Sequence, residues 1–124
     1  MNIDVVTELV IRSGETGPNG WVEKMPGLWV NLLWEDKDGK GSVSLVRFEK
    51  GAGIPKAHVH ASRQSMYLLS GRYEYTETNL VLEPGDFYTN EVDHAHGPTY
   101  AHEESLMLEI HDGPRFYEKP DYLY

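Results

Sequence analysis

The chain has 124 residues, 11 of them basic and 20 acidic, for a net charge of −9. That size suits one domain with one core, and the acidic balance argues against nucleic acid or an anionic membrane as a partner. There is no apolar run near the roughly 20 residues of a membrane span, no opening signal-peptide pattern and no cysteine, so a cytoplasmic location is the simplest expectation and any metal must take nitrogen or oxygen ligands.

Glycine and proline punctuate the chain, and the runs between them are short and rich in β-branched and aromatic residues. That is the pattern of an all-β sandwich or barrel. Residues 1–20 read as an arm, with Ile3 to Ile11 ambiguous between helix and strand. Leu28 to Trp34 predicts a strand, Asp36 to Gly41 a hairpin turn with Asp38-Gly39 at its tip, and Ser42 to Glu49 the return strand. Gly51 to Pro55 is a turn. Gln64 to Ser70 predicts a strand, Gly71-Arg72 a turn, and Tyr73 to Thr76 another strand. Asn79 to Leu82 and Phe87 to Thr89 are short strands around the Pro84-Gly85-Asp86 turn. Leu106 to Ile110 is the last core strand, and residues 114–124 read as a second arm for the barrel or a neighbour.

All six histidines, at 58, 60, 94, 96, 102 and 111, lie in the second half of the chain. A lone histidine is most often exposed or satisfied in the core. His58-Val59-His60 differs, because alternate residues of an extended segment share a face and two inward imidazoles need a common partner. A transition metal is such a partner. Gln64 leads the apolar face of the following strand and needs hydrogen bonds or a ligand role.

Gly53, His58, His60, Gln64 and Gly71, then Gly85-Asp86 and His96, resemble the two motifs of the cupin superfamily. The resemblance implies a single-domain, all-β jelly-roll barrel (a double-stranded β-helix) and a homodimer. It places a metal on His58, His60 and His96, with Gln64 as a weak fourth ligand or a group orienting water. Cupins usually supply glutamate where this chain has Gln64. Glu91-Val92-Asp93 stands where a proline-x-glycine is usual, so His94 is the alternative to His96; the spacing favours His96.

Three neutral imidazoles and a carboxamide leave a divalent ion with a charge near +2, which suits an anionic bidentate ligand such as an enolate. Three-histidine cupins of this kind include the diketone and dihydroxyacetophenone dioxygenases and the ChrR-like cupins. Met25-Pro26-Gly27, Leu45 to Phe48, Gly51 to Gly53 and His96-Gly97-Pro98 also resemble that branch. The implied function is a non-haem dioxygenase cleaving a C–C bond of a small dicarbonyl or hydroxyketone. Its metal would be Fe²⁺, with Zn²⁺, Ni²⁺ or Mn²⁺ as alternatives. The competing expectation is a non-catalytic small-molecule binding or sensor domain with a weakened or structural metal site. A sugar-type isomerase ranks third, for want of an acid/base pair.

Gln64 and Arg47 are the catalytic candidates beyond the histidines. Arg47 shares a strand face with Val43 and Leu45; turned inward it would hold a substrate carboxylate, and otherwise it would pair with Glu49. Met66 and Leu68 should line the barrel. Tyr67 and Tyr75 should face the pocket or a partner. Trp29 and Trp34, five residues apart, should lie on opposite faces, one in the core. Glu109 and His111 should be solvated, with an inward Glu109 as the exception, and His102 should lie in an exposed loop.

Overall fold

A computed structural model describes residues 8–124, so most of the ambiguous Ile3 to Ile11 stretch lies outside the described residues. Seven antiparallel strands follow one another: β1 Trp21–Met25, β2 Leu28–Glu35, β3 Ser42–Phe48, β4 Gln64–Tyr75, β5 Leu80–Leu82, β6 Phe87–Asn90 and β7 Thr99–His111. The fold is all-β, as expected. No helix among the described residues is long and apolar enough to cross a membrane.

The sheet order is β1-β2-β3-β7-β4-β5, with β6 on β4. β4 and β7 are the long strands, and each works at both ends. The first half of β4 pairs with β6 and with the end of β7, while its second half pairs with β5 and with the start of β7. The start of β7 also bonds to the 51–54 segment, through Ala101 to Ala52 and Thr99 to Ile54. Two bent strands shared in this way turn one sheet into two facing layers. Side chains alternate across them, so Leu28, Val30, Val46, Phe48, Leu68 and Met107 meet in a single core.

The bend in β4 is where the expected Gly71-Arg72 turn was placed. The strand runs through it, with the register to β7 slipping at Leu68, Ser70 and Arg72. Bulges of this sort bend a strand without ending it. Gly71 has φ +96°, and a Cβ there would come within 2.3 Å of the Glu104 carbonyl oxygen. Only glycine lets the two backbones approach so closely.

Three other differences have physical causes. β1 went unpredicted; its short run is half-buried and edges the sheet. β7 begins at Thr99, well before Leu106, because His102, Glu103 and Glu104 point to solvent from a paired strand. His102 is therefore on a strand, bonded to Glu74 at 2.7 Å. Trp29 and Trp34 share the outer face and neither belongs to the core. A bulge between Leu32 and Trp34 absorbs one residue and inverts the parity, placing Trp29 opposite Arg47 and Trp34 opposite Val43.

Candidate metal centre

The two histidine motifs meet at one end of the barrel. His58 and His96 form an isolated antiparallel bridge, with His58 N–H donating to His96 O at 2.9 Å and His96 N–H donating to His58 O at 3.0 Å. The expected strand at residues 58–60 is thus this single bridge, but the alternation holds: Val59 is exposed and His60 buried. The Nε2 atoms of His58 and His60 are 3.1 Å apart, as are those of His60 and His96. All three residues offer a nitrogen within one small sphere.

Their protonation follows from the other ring nitrogens. His60 Nδ1 lies 2.9 Å from the Arg115 carbonyl and His58 Nδ1 3.4 Å from the Lys56 carbonyl. A carbonyl only accepts, so each Nδ1 carries the proton and each neutral Nε2 presents a bare lone pair. His96 Nδ1 has the Tyr88 hydroxyl at 2.9 Å. Burial lowers the pKa of all three rings. For His60, where burial outweighs the Arg115 carbonyl, the value falls to about 4, and for His96, where His58 and His60 add their repulsion, to about 3. With these rings neutral, the Nε2 lone pairs of His58 and His60 face each other at 3.1 Å, an arrangement that a shared cation relieves.

Gln64 is the fourth residue expected at the site. It opens β4, is 6% exposed and lines the same cavity, and its Oε1 is buried with no hydrogen-bond partner among the described residues. An orphaned carbonyl of that kind costs free energy unless something accepts its lone pairs. The clustered nitrogens of His58, His60 and His96 fit a divalent transition metal, with Nε2 separations of 3.1 Å that bonds of about 2.0–2.2 Å can span, and Gln64 Oε1 is an unpaired oxygen on the same cavity. Rings are braced from behind: Phe116 stacks on His60 and Tyr75 on His96, at centroid distances of 5.0 and 5.1 Å.

His94 stays outside the group. It is exposed, and its Nδ1 bonds to Asn90 Oδ1 at 2.8 Å. Arg47 is on the outer face of β3, away from the cavity, because the inward positions of that strand are the even ones from Ser42 to Phe48. Its partner is Glu104, at 3.1 Å, and its guanidinium lies over Trp21 and Trp29, while Glu49 accepts from Trp29 Nε1 instead. The expectation of a carboxylate-holding Arg47 and that of a pair with Glu49 are both corrected. Met66, Leu68 and Tyr75 are buried, and Tyr67 faces outward.

Glu109 and His111 are buried, against the solvated expectation, at 8% and 1% exposure. They occupy inward positions of β7, where Met107 continues the same face. Glu109 Oε1 accepts from His111 Nε2 at 2.8 Å and lies 3.7 Å from Arg115 Nη2. Burial alone would raise the carboxyl's pKa; the Arg115 guanidinium and His111 outweigh it and hold the group well below the usual carboxylate range. Such a carboxylate is a counter-charge, and a poor proton donor for isomerase chemistry. Arg115 itself, with Phe116, Lys119 and residues 122–124, lies over the cavity. Sequence reading passed over Arg115, since it sits in a segment with no periodicity.

A family described as the ChrR cupin-like domain matches residues 12–115. The chain belongs to the ChrR cupin-like domain family. No curated protein matches this cupin in sequence. Among solved structures, KdgF from Halomonas sp. is 25% identical, with 77% of this chain and 87% of that one covered and a TM-score of 0.65. An acetylacetone dioxygenase from Acinetobacter johnsonii is 17% identical over 100% of this cupin and 91% of its own chain, with a TM-score of 0.70. The complex of SigE with the anti-sigma ChrR from Rhodobacter sphaeroides matches at 19% identity, covering 82% of this cupin and 52% of that chain, with a TM-score of 0.65. These likenesses describe the fold.

Proposed function

We propose that this cupin is a metal-dependent dioxygenase that cleaves a C–C bond in a small dicarbonyl or hydroxyketone, with Fe²⁺ on His58, His60, His96 and Gln64. The observation that carries the reading is the neutral donor set: the clustered imidazole nitrogens of His58, His60 and His96, and the Gln64 Oε1 unpaired among the described residues, with no carboxylate in the group. A divalent ion bound there supplies Lewis acidity with its charge undiminished, and as iron also the capacity to engage O₂. Everything else falls to the protein. The carbonyls of Lys56 and Arg115 hold the Nδ1 protons of His58 and His60 in place, and the Tyr88 hydroxyl bonds to His96 Nδ1. Leu28, Val46 and Met107 wall a cavity of about 360 Å³, which suits a small molecule. The fold likeness to an acetylacetone dioxygenase supports the same chemistry.

Oxygen uptake by iron-loaded protein against a panel of β-diketones and aromatic hydroxyketones tests this. Uptake matched one for one by C–C cleavage is expected. His58→Ala, His60→Ala and His96→Ala should each lose metal on elemental analysis, while His94→Ala should keep it; full metal in His96→Ala would rule out the site.

A second reading has one observation in its favour. The segment that covers the cavity also holds a metal ligand, through Arg115 O and His60 Nδ1. A sensor domain would use that link to report an occupied site, in keeping with the fold likeness to an anti-sigma factor. Firmly bound metal with no uptake across the panel would select it. A homodimer goes with either reading: Tyr67 and Phe87 are cross-strand neighbours on the outer face and, with Ile110, leave 44%, 63% and 43% of their surfaces exposed.

A further inference from the structure

We infer that the ligand of this cavity carries a carboxylate, and that Arg115 is the residue that selects it. The inference rests on the dicarbonyl reading only for the rest of the ligand's skeleton.

The first observation is charge. Acidic residues outnumber basic ones 20 to 11 along the chain, yet the cavity lining reverses the ratio. Lys24, Arg115 and Lys119 line it, and Glu109 is the one acid among its lining residues. Its three histidines and Gln64 are neutral, so the walls carry a net positive charge before any metal binds. A positive cavity in a strongly acidic protein concentrates small anions from solution.

The second observation is the geometry of Arg115. Its side chain makes one hydrogen bond among the described residues, from Nη2 to Ser44 Oγ at 2.7 Å. Glu109, the nearest carboxylate, is 3.7 Å away, beyond hydrogen-bonding distance, and its Oε1 is taken by His111 Nε2 at 2.8 Å. Guanidinium has five N–H donors in a fixed fork. Glu109 and Ser44 therefore aim the fork without consuming it, and the donors left over match a carboxylate in bidentate fashion. Glu109 also serves as the distal counter-charge. Leu28, Val30, Val46, Phe48 and Met107 line the same cavity as the histidines and Arg115, so one end of the ligand meets the histidine cluster and the other meets Arg115 across an apolar wall.

The test compares 2,4-dioxopentanoate with its methyl ester. Both have the same diketone skeleton, and only the acid has the charge. Calorimetric titration of the metal-loaded protein without oxygen should show the acid binding about 10-fold tighter or more. The gap should narrow as salt rises. Equal affinities in the wild-type protein overturn the inference without recourse to any variant. Arg115→Gln should erase the preference, and Arg115→Lys should keep part of it. If Arg115→Gln fails to fold because Glu109 loses its counter-charge, the double substitution Glu109→Gln with Arg115→Gln removes both charges, and a preference that survives in it overturns the assignment to Arg115. Oxygen uptake separates the two readings. Tight, Arg115-dependent binding of the acid with no uptake leaves this inference standing and removes the oxygenase. Uptake with ester and acid at equal kcat/KM does the reverse.

Discussion

At Gln64 a single substitution tests the charge proposed for the site. Its Oε1 has no partner among the described residues, so a substitution reports directly on whatever partner it meets. Gln64→Glu should bind metal more tightly in chelator competition and bind anionic ligands more weakly, because a carboxylate removes one positive charge. Unchanged behaviour in both would mean that Gln64 does not touch the ion. Tyr88 acts one atom further out. Tyr88→Phe deprives His96 Nδ1 of its 2.9 Å partner and should weaken metal binding about 10- to 100-fold. The convergence of His58, His60 and His96 was legible in the sequence, since spacing and residue type carry it, as was the inward face of Gln64. Glu109, His111 and Arg115 were not. A polar residue two positions after Met107 looks the same on paper whether it faces solvent or the core, and only the pairing of β7 between β3 and β4 settles the face.

Among the elements, β4 carries the most consequence, because it holds Gln64 at one end and Tyr75, which stacks on His96, at the other. Its bend at Gly71 sets the angle between those ends. Gly71→Ala adds a Cβ within 2.3 Å of the Glu104 carbonyl at a φ of +96°. The cost should exceed about 1 kcal/mol in urea denaturation, since both the space and the backbone angle oppose the methyl. A stable Gly71→Ala protein with unaltered metal affinity would show that the bend does not set the site. Strand existence was readable from apolar runs and turn residues; strand continuity was not. Glycine ends many strands and here only bends one, and Trp29 and Trp34 fell on one face because a bulge leaves no mark in the sequence.

For the molecule as a whole, the outer face of β4, β6 and β7 is the surface left unexplained by the barrel. Tyr67, Phe87 and Ile110 are exposed there beside Leu108, which pairs with Tyr67. Light scattering should give twice the 14.1 kDa chain mass, and Phe87→Glu should shift it toward the monomer while leaving metal content intact. A wild-type monomer at micromolar concentration would assign that face to something other than a second copy. Of the residues on this face, only Tyr67 was expected from the sequence to face a pocket or partner, because alternation predicts which residues share a face and says nothing about what covers it.

The bridge between His58 and His96 has a consequence for metal exchange. Two backbone hydrogen bonds and three Nδ1 partners tie the imidazoles to the barrel by contacts that belong to the protein itself. Small zinc domains, by contrast, gain their fold from the metal and lose it to a chelator. Here the ion should leave and return through a standing barrel, with circular dichroism unchanged. Unchanged dichroism on chelation would make occupancy a matter of the metals the surroundings supply, and one protein sample could then be emptied and refilled with a series of ions for side-by-side comparison.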